Sequence, residues 1–163
     1  MLKPGSLRDH LTKALPDLKR DPEKLVVIAR GGRAICTGTG SLSFEYAYTL
    51  QIILLDYAGH ADAVIVPLLA WIAVNQPELL DNEKKRADAI RFDVEYLTDK
   101  TVDLQLEVDL TERVLVRPRD GTPGGLNVHH VGEPTHPSQI LQREHWSLWI
   151  RDELLAEWDQ GPR

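Results

Sequence analysis

The sequence predicts an α+β domain in which helices pack on a mainly antiparallel sheet. Apolar residues recur every three or four positions near the start of the chain, the helical period. Strict apolar–polar alternation runs through residues 102–111, the strand period. Between them lies a long segment rich in aromatic and β-branched residues. With 163 residues, 42% of them hydrophobic, one domain can withdraw roughly two thirds of its unfolded surface from water, so a single core is expected.

In the first element, Leu7, Leu11, Ala14, Leu15 and Leu18 form an apolar helical stripe, and Pro4 and Ser6 offer a start. Pro16 predicts a break, because proline damages a helix interior. Segments 25–29 and 34–37 are short apolar runs around Gly31 and Gly32. Those glycines can take the positive φ of a tight turn, which predicts a β-hairpin. Residues 42–59 predict one long central strand.

A second helix is predicted over 66–80, with Asp62 as N-cap, Pro67 tolerated near the start and Pro77 marking the end. Val64, Leu68, Trp71 and Ile72 share one side, but Ile65, Val66, Leu69 and Val74 leave little of the other side polar. Such a helix must be covered on more than one side, by a second layer of the same domain or by another subunit. Residues 81–86 predict a charged loop, and 91–97 predict the partner strand of 102–111, joined through 98–100. The alternation continues more weakly through 113–117.

From 118 to 137 the composition turns to Pro, Gly, His and Asn, which predicts a polar arm with 126–131 as a short strand inside it. The chain thus divides into a core at 1–118, an arm at 119–138 and a terminal aromatic segment at 139–163 that packs on the core or on a neighbour. Residues 146–159 hold three of the four tryptophans.

The net charge of −6 repels a phosphate backbone, and the richest basic cluster, Lys84, Lys85 and Arg86, is flanked by acids, so tight nucleic-acid binding is not expected. The single Cys36 excludes an internal disulfide and reads as a small buried side chain. Lys3, Arg8, Asp9 and His10 interrupt any secretory core, and the longest apolar stretch, 63–74, is shorter than the roughly 20 residues of a membrane helix. A soluble protein made in the cytoplasm is expected.

Catalytic signatures are weak. Asp103, Glu107 and Asp109 share one strand face, but the alternation that gathers them is also what solvates a sheet. His129, His130 and His136 invite a metal, yet adjacent histidines on a strand point to opposite faces. His145 beside Trp146 reads as an interface or packing residue. Gly31, Gly32, Gly38, Thr39 and Gly40 do not make a dinucleotide fingerprint, and Ser41 and Ser43 lack a nucleophile elbow. The expectation is a structural protein with no cofactor and no metal site, not an enzyme. A small metal-dependent hydrolase using the arm histidines, and a monomeric adaptor between two unlike proteins, remain the competing readings. The candidate contact residues are Ile65, Leu69 and Trp71 on the second helix, where Trp71 also suits the core. Trp146, Trp149, Leu154 and Trp158 join them from the terminal segment.

The opening LKPGSLR, the strand SLSFEYAYTLQIILLDYAG, the helix IVPLLAWIAVNQPELL, the strand end LTERVLVRP and the closing LWIRDELLAEWD resemble the tail completion protein GpR family of temperate contractile-tailed phages. The resemblance runs in order from residue 1 to about residue 159. It implies a phage or prophage virion protein, made in the host cytoplasm, that finishes the tail so that it joins the head. It also implies a tail-terminator-like fold, a mixed sheet flanked by two helices, closing as a homohexamer ring on the last disc of the tail tube. The implied partners are the chain itself, the tube and sheath proteins, and a head connector or head completion protein. DNA would meet the ring only in passage, and Asp103 and Glu107 are the candidate acids facing the bore. The terminal segment, helical by propensity, is implied to be a hairpin of strands 147–150 and 153–157 turning at Arg151 and Asp152.

Overall fold

A computed structural model describes residues 1–36, 38, 40–134 and 143–161. The chain opens with α1, Lys3–Ala14, which has a proline in its first turn, where a missing N–H costs nothing, and buries Lys3, Leu7, Leu11 and Ala14. Leu15 then turns extended, as a residue before proline should, and Pro16 restarts the chain as α2, Pro16–Arg20. The expected break is therefore a kink that keeps Leu15 and Leu18 in the core.

After a 3₁₀ turn at Pro22–Lys24, strand β1, Leu25–Cys36, runs antiparallel to β2, Phe44–Tyr57. The hairpin expected at Gly31 and Gly32 is not formed. Residues 25–29 and 34–36 both belong to β1, residue 37 lying outside the described residues, and the glycines make a bulge: Gly31 has φ +59°, and the register shifts between Arg30 and Arg33. The same positive φ serves a bulge and a turn equally well. Because β2 is long enough to pair with both halves of β1, the bulge wins.

Helix α3 spans Asp62–Asn75, starting earlier than expected. Asp62 lies within its first turn and does not cap it; Ala61 precedes it without a side-chain cap, and the Asp62 amide donates to His60 Nδ1. Pro77 ends the element as expected, and the single-turn α4, Glu78–Asp81, follows it. The charged segment expected as a loop contains another helical turn, α5, Glu83–Arg86, which Asn82 caps by accepting the Lys84 amide.

β3, Arg91–Tyr96, and the 17-residue β4, Val102–Pro118, pair as expected. β5, Leu126–His130, pairs with the far end of β4 and supplies the strand expected inside the polar arm. The sheet order is β1-β2-β4-β3, with β5 sharing the β3 side of β4, and every pairing is antiparallel. A separate hairpin of β6, Glu144–Ile150, and β7, Glu153–Gln160, turns at Arg151 and Asp152.

One face of the sheet carries Leu50, Ile52, Leu54, Leu104, Leu106, Val108 and Leu110 into the core, where they meet Leu7 and Leu11 of α1 and Val64, Leu68, Trp71 and Ile72 of α3. Ala156 and Trp158 of β7 belong to the same core. The nearly all-apolar α3 thus finds cover inside its own chain, from the sheet, from α1 and from β7.

Candidate interaction surfaces

The two candidate groups divide between inside and outside. Trp71 is 3% exposed, and its Nε1 donates to Ser6 Oγ of α1 at 3.1 Å, so this side chain ties the two helices together. Trp158 is buried; its Nε1 donates to Gln160 Oε1, and Gln160 donates on to the Ala70 carbonyl of α3. Both tryptophans are used in the chain's own packing. On α3 the solvent-facing line is Ile65, half-buried, and Leu69, exposed one turn later.

On the hairpin, Trp146 stands edge-on to Trp158, ring centroids 5.9 Å apart, and keeps its outer side in water. Trp149 is 54% exposed and faces Leu154 across the strands, beside the turn. The turn holds Arg151 at φ +52°, a left-handed conformation that a non-glycine residue rarely takes. A cleft of about 460 Å³ separates this hairpin tip from the α1–α2 kink and the loop after β2, with Leu15, Tyr57, Ile150, Leu154 and Leu155 among its walls.

A third apolar surface was not among the expected ones. Phe92 and Tyr96 of β3 are 62% and 81% exposed, on the sheet face that forms the core elsewhere. Their alternation with Val94 in the segment RFDVEY was the available signal. Their exposure follows from the tertiary packing, since neither belongs to the buried core at the edge of the sheet.

Of the three acids on the outer face of β4, Glu107 and Asp109 share Arg91, at 3.7 and 3.0 Å. Burial would raise the Asp109 carboxyl, but hydrogen bonds from Arg91 and Thr49 hold it below its ordinary value. Asp103 stands apart and accepts the Asp56 backbone amide at 2.9 Å, bracing a residue of positive φ.

The histidines do not converge. His130 approaches Glu112, His145 lies between Asp159 and Glu157, and His136 is outside the described residues. Among the described residues no group of three or more His, Cys, Asp or Glu side chains could hold a metal ion. Cys36, expected to be buried, is exposed, because the second half of β1 has no layer over it. Among the described residues no helix is long and apolar enough to cross a membrane.

Beneath these surfaces runs a polar network that the sequence did not announce. Glu112, 5% exposed, accepts the backbone amides of Leu2 and Lys3 and the Tyr48 hydroxyl. Lys3 Nζ donates to Gln76 Oε1 at 2.6 Å and pairs with Glu133 at 2.7 Å. Gln76 Oε1 also takes the Thr111 amide, in the gap that β3 and β5 leave along β4.

Fold and surface together define a small α+β protein that leaves apolar side chains exposed on three surfaces. A family model described as P2 phage tail completion protein R (GpR) matches residues 1–134. The chain is 37% identical over 160 residues to "Tail completion protein R" of Escherichia phage P2, covering 98% of this chain and 100% of that protein. The chain belongs to this family of structural phage tail completion proteins. No solved structure matches it.

Proposed function

We propose that the chain caps the head-proximal end of a contractile tail's tube as a ring of identical copies, six by analogy with tail terminators, and so enables head–tail joining. The likeness to the phage P2 protein carries this reading, because it spans that protein from end to end and includes the terminal hairpin. A ring needs a heterologous interface whose rotation closes. Apolar side chains left in water on three separate surfaces suit a protein that meets several neighbours.

The contact residues proposed for the tube protein, the sheath protein and the head connector or head completion protein are Ile65, Leu69, Trp146, Trp149 and Leu154. Trp71 and Trp158 support them from beneath. Asp103 and Glu107 face the bore in this reading, where negative charge keeps passing DNA from sticking. The chain acts by contact and not by catalysis, in the host cytoplasm during assembly and at the tail's head-proximal end afterwards.

Deleting the gene and supplying it back tests the proposal. Lysates lacking the chain should contain heads and tails that stay separate under the electron microscope, and complementation should restore joined particles. Joined, infectious particles in the uncomplemented lysate would overturn it.

A further inference from the structure

Among the described strands, the five-stranded sheet ends on one side in β1, paired only with β2, and on the other in β3, paired only with β4. A free edge of this kind is a template for another strand. The two edges carry opposite charge. β1 holds Arg30 and Arg33 and no acid, whereas β3 holds Asp93 and Glu95 against the single Arg91.

All four side chains lie on the same sheet face. Arg30 and Arg33 pair in register with Thr49 and Ala47. Asp93 and Glu95 pair with Gln105 and Asp103, on the face opposite the buried row of Leu104 and Leu106. Spacing agrees as well. The Gly31 bulge makes three steps along β1 match two along its partner, as Arg30 and Arg33 stand opposite Thr49 and Ala47. Asp93 and Glu95 are two residues apart, so the bulged strand presents its arginines at the acids' spacing.

That register also fixes what the other face must do. With Glu95 opposite Arg30 and Asp93 opposite Arg33, Tyr96 falls against Ala29, Val94 against the glycine bulge and Phe92 against Ala34. The exposed aromatics of one edge thus meet the small, exposed residues of the other. Strand polarity is compatible too. Three successive antiparallel pairings leave β3 antiparallel to β1. A second copy displaced in the same orientation therefore presents its β1 antiparallel to the first copy's β3, the more stable ladder.

We propose that the β3 edge of one copy pairs antiparallel with the β1 edge of the next, with Glu95 against Arg30 and Asp93 against Arg33, continuing one sheet from copy to copy. This is a heterologous contact that repeats around a ring, and it rests on the ring reading above.

Two experiments on tails assembled in the complemented deletion strain test it. In a Cys36→Ser background, Arg30→Cys with Glu95→Cys should give, on mild oxidation of purified tails, a ladder of disulfide-linked oligomers that reduction collapses. The same background with Arg30→Cys and Glu107→Cys should give none, because Glu107 lies away from the edge, on β4. Separately, Arg30→Glu with Arg33→Glu should abolish complementation, and so should Asp93→Arg with Glu95→Arg. Combining all four changes should restore it, which a variant that merely fails to fold would not do. Several copies per tail with no ladder and no rescue would overturn the edge pairing and leave the ring reading standing. A single copy per tail would overturn both.

Discussion

The Tyr48 hydroxyl of β2 donates to the Glu112 carboxylate of β4, and Glu112 occupies an inward position in the row Leu104, Leu106, Val108, Leu110 and Val114. A carboxylate in an apolar row is stable only if its oxygens are satisfied. Here the Leu2 and Lys3 amides complete the set and fasten the start of α1 to the sheet. Glu112→Ala strands the Tyr48 hydroxyl and the Lys3 and Leu2 amides, and should lower unfolding stability by about 2–4 kcal/mol, with Glu112→Gln costing less because its carbonyl still accepts. Urea midpoints compare the three proteins directly.

The same contacts set a pH dependence. Burial alone would raise the Glu112 carboxyl, but the Leu2 amide, the Tyr48 hydroxyl, the Lys3 amide and the N-terminal charge together hold it below its ordinary 4.5. A depressed folded-state value means that the stabilisation is present above pH 4.5 and is lost as pH falls through the folded value. Stability should therefore decline from pH 4.5 downward, and Glu112→Gln should flatten that decline. Asp109, Glu78 and Glu157, which are also held low, should contribute to the slope that remains.

How much of this was legible depends on how local each cause is. The alternation of 102–111 is imposed by the pleat itself, so β4 and its wet acids could be read directly. Likewise, the all-apolar character of α3 required cover on several sides, although only the structure names α1 and β7 as that cover. Gly31 and Gly32 misled because a turn and a bulge ask for the same backbone freedom, and the choice was made by the length of β2, elsewhere in the sequence. Trp71 and Trp158 could not be told from Trp149 by residue type, since exposure is decided by which side of a helix or hairpin meets the core. Glu112 continues the inward parity of its strand, but its partners at Leu2 and Lys3 lie more than a hundred residues away.

Gly31 carries the bulge at φ +59° with open space around the position of a Cβ. Gly31→Ala should therefore destabilise through backbone strain alone, by about 1–2 kcal/mol. Thermal unfolding of the variant checks this. An unchanged midpoint would mean that the bulge tolerates a side chain.

Trp71 and Trp149 should behave oppositely. Trp71→Ala removes a buried side chain and its bond to Ser6, and should cost about 3–5 kcal/mol. Trp149→Ala changes an exposed residue whose ring N–H donates to Ser147 in its own strand, and should shift stability by less than about 1 kcal/mol. Chemical denaturation of the two variants side by side distinguishes a core tryptophan from a surface one.

Glu107 meets Arg91 only at 3.7 Å on the outer face, so Glu107→Lys should leave the fold and particle assembly intact. If this face lines the bore, the reversed charge should slow DNA delivery, read as delayed appearance of phage DNA in infected cells. Delivery at the wild-type rate would remove Glu107 from the bore.

The central claim is that the chain completes tails through surface contacts. The most direct measurement is electron-microscopic counting of joined particles when a deletion strain is complemented with the Trp149→Ala, Leu154→Ala double variant. The expected result is a folded, soluble chain whose lysates contain mostly unjoined tails, as in the uncomplemented strain. Joined particles at the wild-type number, made with a chain that carries both substitutions, would contradict it.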